Sequence, residues 1–343
     1  MSMRLSQARR QSLRVATLLL LLTLLALIIS TSALVSAQLG WSGARYGEEG
    51  KDLNAVYFAD NKRGWIGGDG GYLSRTIDGG HSWSPQTVGT TDAINDIYFR
   101  NKDEGYLLAG DAIFNTRDGG QQWRELRRFA AQDFDGASPE LYSVRFSSKK
   151  KGWVVGSLSK PQGRTKEMVV VDSLVFYTDD GGASWQRQPV PTKNELIHLD
   201  FVSEKRGWIV GTAGTILHTE DGGDTWRAQQ AGTGATLYHV DFQNEDLGWI
   251  VGERGTILRT MDGGHTWTPV RAPLRATLLS VQFVDDNQGW IVGRGGTILR
   301  SDDGGRTWIQ QESKTKQNLY ALYMNKKFGW SVGGDGMVLQ YER

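Results

Sequence analysis

Leu237-Tyr238-His239-Val240-Asp241-Phe242 is followed by Gly248-Trp249-Ile250-Val251-Gly252, by Gly255-Thr256-Ile257-Leu258-Arg259-Thr260 and by Asp262-Gly263-Gly264-His265-Thr266-Trp267. The same order of residues returns 41 positions later, through Trp290, Asp303 and Trp308. Self-similarity at a fixed period marks a repeat architecture, in which each repeat is one supersecondary unit. Reading outward in both directions, the Gly-aromatic pair occurs seven times, with its ring at Trp65, Tyr106, Trp153, Trp208, Trp249, Trp290 and Trp330. The spacings are 41, 47, 55, 41, 41 and 40.

Each unit holds four short runs rich in Val, Ile, Leu, Trp and Thr, separated by Gly-rich turns. Residues two apart share a face in the Val-x-Phe part of the first run, as in a strand. No segment after residue 38 sustains a 3.6-residue apolar period. Four strands in about 40 residues is the pattern of a propeller blade. The chain therefore reads as all-β: a single seven-bladed β-propeller with four-stranded antiparallel blades over residues 38–343. The seventh unit stops at Arg343 after three strands. At the other end Trp41 precedes Leu53 by 12 residues, where Trp226, Trp267 and Trp308 each precede the next Leu by 11. The segment from Gln38 to Tyr46 thus reads as a displaced fourth strand that closes the ring and hides two sheet edges.

The first 37 residues read as a leader. A basic stretch ends at Arg14, an apolar run covers Val15 to Ile29, and small residues lead to Val35 and Ala37 before Gln38. That fits a secretory signal peptide. Ala8-Arg9-Arg10-Gln11-Ser12-Leu13-Arg14 also resembles a twin-arginine export signal. Val15 to Ala37 is long enough to stay as an anchor instead. In every case the rest of the chain is exported, to a periplasm, a thylakoid lumen or the extracellular space. The formal net charge of +1 depends on this leader: without it, 35 basic side chains face 38 acidic ones, and nothing draws nucleic acid. No Cys is present, so disulfides, thiolate metal sites and a Cys nucleophile are excluded.

The closing turn, Ser/Thr-x-Asp-x-Gly-x-Ser/Thr-Trp, places Asp78, Asp118, Asp180, Asp221, Asp262 and Asp303 between third and fourth strands. An Asp there accepts backbone N–H groups of its own turn. One copy per blade suits a scaffold, whereas catalysis needs one or two special carboxylates. Asp-x-Gly also lacks the run of acids that calcium takes. The five histidines show no metal-ligand spacing, and the Gly-rich turns lack a Walker-type Lys-Ser/Thr. No cofactor or metal is expected, and no catalytic residue can be nominated.

This Asp-box turn also occurs in sialidases, certain glucan hydrolases and sortilin-type receptors. With Gly-Trp-x-Val-Gly and Gly-Thr-Ile-Leu-x-Thr, the chain most resembles the photosystem II stability and assembly factor family over nearly all of residues 39–343. The resemblance implies a non-catalytic, monomeric protein-binding scaffold whose partner is a membrane-complex subunit, met through arginines. The lack of Cys departs from the lipid-anchored cyanobacterial members.

The repeat is interrupted twice, by Arg124-Glu125-Leu126-Arg127-Arg128-Phe129 with Asp133-Phe134-Asp135-Gly136, and by residues 157–173. Propeller geometry brings connections of both kinds to one face. Candidate partner-binding residues there are Arg124, Arg127, Arg128, Lys160, Arg164 and Lys166, joined by Arg254, Arg271, Arg275 and Arg294. The competing reading is a secreted glycan-binding or sialidase-like glycoside hydrolase. A pair of funnel carboxylates with shifted pKa values favours that reading, and an acid-free funnel with a basic rim favours the scaffold.

Overall fold

The computed structural model describes residues 40–47 and 49–342; the leader, Gln38 and Leu39 lie outside them. Seven four-stranded antiparallel sheets follow one another around an axis. Blade five is representative, with strands Leu237–Phe242, Gly248–Gly252, Ile257–Thr260 and Thr268–Pro269. Its second strand is buried at every position because it lies mid-sheet between two neighbouring blades.

The spacing of Leu-x-x-Val-x-Phe has a physical cause. Strict alternation would put the first and fourth positions on opposite faces. In blade five the register shifts between Leu237 and His239, so Leu237 pairs Gly252, Val240 pairs Ile250 and Phe242 pairs Gly248. The bulge returns all three apolar residues to one face. The same shift occurs in every blade, for example between Leu53 and Ala55 and between Leu319 and Ala321.

Blade-to-blade packing is aromatic. The first-strand Phe283 stacks on Trp249 of the preceding blade at 3.4 Å between ring centroids, and Trp308 meets its edge at 5.7 Å. Phe242 sits between Trp208 and Trp267 in the same way. Offset and edge-to-face contacts of this kind add to the gain from area burial.

The two chain ends meet in blade seven. Gly40–Arg45 runs antiparallel to Met337–Glu342, with Trp41 opposite Tyr341. Blade seven has no Asp-box turn to cap Trp290 of blade six; Tyr341 covers that indole at 5.6 Å, and Trp41 packs on Tyr341 at 5.3 Å.

Both interruptions meet on blade three, as the connectivity requires. Phe129 stacks on Phe176 at 4.0 Å, and Phe134 follows at 6.2 Å. Leu158 joins the same buried cluster. Beyond it the second and third strands, Gly152–Gln162 and Glu167–Thr178, run on as a projecting hairpin.

Candidate functional site

The first strands line a central channel of about 700 Å³. At one mouth, first-strand starts and second-to-third-strand turns come together. Asp52 N–H donates to Asp69 Oδ2 at 3.2 Å, and Thr236 N–H to Glu253 Oε2 at 3.1 Å. Tyr142 donates its hydroxyl to Glu195 Oε1, and Tyr320 to Asp52 Oδ2, both at 2.8 Å. The funnel is therefore not acid-free, which corrects the simple picture of a basic rim around a neutral channel.

Deeper in, Arg145 pairs with Asp96 at 2.7 Å, and its other terminal nitrogen lies 3.0 Å from His198 Nε2. The guanidinium also faces the Tyr98 ring at 5.5 Å. His198 and His239 stack at 3.7 Å. Asp200 Oδ2 accepts Phe242 N–H, and Asp241 Oδ2 accepts Phe283 N–H, both at 2.9 Å. Gln282 Oε1 takes Met324 N–H at 2.7 Å at the same position of the repeat. Burial pushes both carboxyls up, Asp241 strongly and with help from Asp200. These are the shifted funnel carboxylates that a hydrolase reading asks for. One oxygen of each, however, ties its blade to the backbone of the next, and a neutral amide does the same work at Gln282.

Burial pushes His239 down to about 3, with Arg145 adding to the effect, and holds His198 well below its ordinary value. The unfolded chain therefore takes up protons near pH 6.5 that the folded one refuses. The stability this supplies is complete above pH 6.5 and is lost as pH falls toward about 3. Asp200 and Asp241 act in the opposite sense, since protonation suits their raised values. Acidification from pH 7 to 4.5 should lower the melting temperature, and less steeply in the His198→Asn/His239→Asn double variant. Equal slopes in a melting series would show that the histidines do not set the response.

The Asp-box carboxylates are spent within their own turns. In blade four Thr219 donates its hydroxyl to Asp221 Oδ1 at 2.8 Å and accepts Gly223 N–H at 2.7 Å. Asp221 Oδ1 accepts Thr225 N–H at 2.9 Å, and Oδ2 the Thr225 hydroxyl at 2.6 Å. Such bonds, the Ser184 hydroxyl first, hold Asp180 down at about 2. Asp303 also sits at about 2 although burial opposes it, because Thr307 and Ser301 supply the same donors. Among the described residues no three His, Asp or Glu are grouped to hold a metal.

Blade two departs from the pattern. Gln122 stands where the other boxes carry Ser or Thr. Asp118 Oδ1 takes the Gln121 and Gln122 N–H groups, and Oδ2 receives no hydroxyl. Gln122→Thr should add that bond and stabilise the protein by about 0.5–1 kcal/mol, the typical net worth of a hydrogen bond. A denaturant midpoint that does not rise would count against it.

The candidate cations fall into separate groups. Lys160, Arg164 and Lys166 stand on the blade-three hairpin; Arg254, Arg271, Arg275 and Arg294 stand at the junction of blades five and six. Among the described residues none of these seven makes an ion pair, and all but the half-buried Lys160 are exposed. Arg128 is engaged internally, bonding Glu125 at 3.0 Å, Asp92 at 3.3 Å and Asp111 at 2.5 Å. Arg127 lies over Phe129 at 5.3 Å. Arg124 pairs with Asn115 at the other end of its strand, beside Arg117 and Asp118, and so stands apart from the insertion face. The channel groups escaped the sequence reading. They occupy the variable positions of Leu-x-x-Val-x-Phe, and superposing the seven first strands on one another would have exposed them.

Comparison with known proteins agrees with this architecture. A structure described as YCF48 bound to D1 peptide superposes with a TM-score of 0.70 at 22% identity, covering 88% of this chain and 97% of that one. YCF48 from Cyanidioschyzon merolae gives 0.67 at 20% identity, covering 88% and 98%. The photosystem II stability/assembly factor HCF136, chloroplastic, of Cyanidioschyzon merolae is 30% identical over 170 residues. That stretch is 49% of this chain and only 35% of the relative. The family model described as photosynthesis system II assembly factor YCF48 matches residues 81–187, 178–275 and 270–342, and the chain belongs to that family.

Proposed function

We propose that this chain is a non-catalytic, exported scaffold that holds a subunit of a membrane protein complex during assembly, with photosystem II the leading candidate. Family membership supports the class of function, and the relative solved with a D1 peptide supplies a precedent for a protein partner. The observation that carries the reading is two groups of cations, seven in all, that make no ion pair among the described residues, while Arg128 on the same side is neutralised by three carboxylates. Unpaired arginines favour planar carboxylates and stacking, which suits a protein interface. Export rests on the leader, residues 1–37, cleaved after Ala37 or kept as an anchor. The glycosidase alternative draws on Asp200 and Asp241; their commitment to backbone amides weighs against it.

The test is affinity capture with a tagged domain of residues 38–343 from detergent-solubilised membranes, followed by mass spectrometry. Recovery of membrane-complex subunits, lost on charge reversal at Arg164, Arg254 and Arg271, is the expected result. Sugar release from a fluorogenic glycoside that disappears in Asp241→Asn would replace the scaffold reading with the hydrolase one.

A further inference from the structure

The hairpin of blade three has an uncovered edge. Its third strand spans 12 residues, Glu167–Thr178, yet the fourth strand pairs only with Phe176 and Tyr177. Val175 O is taken by Gln188 N–H, and Arg187 reaches Ser173 O. Beyond that point, past a bulge at Val171, no hydrogen bond among the described residues reaches the outward backbone of residues 167–171. Proteins blunt such edges with very short strands or charged side chains. Most other fourth strands on the repeat are short, for example Ser84–Gln86 and Thr268–Pro269, and the longer Arg124–Arg128 is charged at four of its five positions. Here the edge instead carries Met168, Val169 and Val171, 51, 38 and 40% exposed. No other uncovered edge among the described residues carries more than one exposed large apolar side chain.

The charge around this edge is predominantly positive, although the exposed Glu167 opens the strand. Lys160 pairs across the ladder with Val169, and Arg164 and Lys166 form the turn. Lys193 stands in the next connection, whose neighbouring carbonyls at Thr192 and Asn194 accept the Ser173 hydroxyl. Among the described residues none of these four cations has an ion pair; of the two acids on this strand, Asp172 is held by Arg187 at 2.8 Å and Glu167 stands exposed at its start.

The geometry points to residues 167–171 as a strand-addition site for an extended partner segment that alternates apolar and acidic side chains. Backbone pairing supplies the affinity and the alternating side chains the choice of partner. Met168 lies on one face of the hairpin and Val169, opposite Lys160, on the other; the apolar members of the segment meet the Met168 face, and its acids meet the face of Lys160, with Arg164 and Lys166 at the turn. A bilayer is the poorer occupant, because unpaired backbone groups do not enter lipid. A second copy is poorer too: five residues of edge fall far short of the area a stable dimer buries, and the cations would face each other. The inference rests on the reading of this face as the partner face, and names which part of it engages and by what chemistry.

The test uses the domain of residues 38–343 and the peptide acetyl-Val-Glu-Val-Asp-Val-Glu-Val-amide. Its control carries proline in place of the central Val-Asp-Val, and anionic phosphatidylserine vesicles serve as a second probe. The expected result is at least tenfold slower amide exchange at residues 167–171 on peptide binding. Binding should weaken at least tenfold with the proline control and with Lys160→Glu/Arg164→Glu/Lys166→Glu. Equal binding of both peptides, protection elsewhere, or retention on vesicles alone overturns it. Capture of membrane-complex subunits without any edge protection defeats this inference and leaves the scaffold reading standing. Edge protection by the peptide without capture does the reverse.

Discussion

Deleting residues 38–47 should lower the melting temperature by more than about 10 °C, at roughly 2–4 °C per kcal/mol for a domain of this size. The segment is remote in sequence from everything it touches. Gly40–Arg45 supplies the fourth strand of blade seven, and its removal bares the whole length of Met337–Glu342 as an edge. It also removes Trp41, which is 3% exposed, from the cluster that buries Trp290 and Tyr341. Truncating a buried Trp alone costs about 3–5 kcal/mol. The Trp41→Ala variant separates the two contributions: it should lose about that amount, and the deletion should lose clearly more. An unchanged melting curve for the deletion would mean that the ring is held shut by the interface of blades seven and one alone. Phe58 lies between Trp330 at 5.8 Å and Trp83 at 5.9 Å in that interface, with Tyr323 at 5.1 Å.

The repeat was legible because each blade uses the same residues for the same contact. A Gly-aromatic pair, a Phe and a turn Trp recur at one spacing, since each aromatic layer must reproduce the geometry of the last. The chain ends were legible for the same reason, an incomplete unit at one terminus matching a spare Trp at the other. What was not legible was the channel. Its lining comes from the positions that vary, Tyr57, Tyr98, Arg145, Asp200, Asp241, Gln282 and Tyr323 at one level. No local pattern says that seven residues spread over 267 positions converge. The cationic face was half legible. Connectivity placed the insertions together, but whether a given arginine is free depends on distant acids: Arg128 and Asp92 are 36 residues apart. Nor does a strand sequence reveal that its outer partner stops short, as it does beside Val169 and Val171.

Two glycines in blade six allow the shared backbone conformation and the shared space to be tested separately. Gly295 and Gly305 both have positive φ, 65° and 75°. Around Gly295 nothing lies within 4 Å of where a Cβ would stand, and the matching turns already carry Ala213, Arg254 and Asp335 at φ 55–58°. Gly295→Ala should therefore cost about 1–2 kcal/mol, the ordinary penalty of the left-handed region. At Gly305 a Cβ would fall 2.2 Å from Trp249 Nε1. That indole is fully buried and stacked on Phe283 at 3.4 Å, so it cannot step aside without opening the junction between blades five and six. Overpacking of about 1–3 kcal/mol adds to the backbone penalty, for a loss of roughly 2–5 kcal/mol in Gly305→Ala. Every Asp-box turn repeats this arrangement, with Gly80 on Trp330, Gly120 on Trp65 and Gly223 on Trp153. The turn of each blade is thus the lid of the blade before it, which is why the motif recurs without any catalytic demand. Denaturant unfolding of the two variants decides the point: equal losses would mean that backbone conformation, and not the seat on the indole, accounts for the glycine.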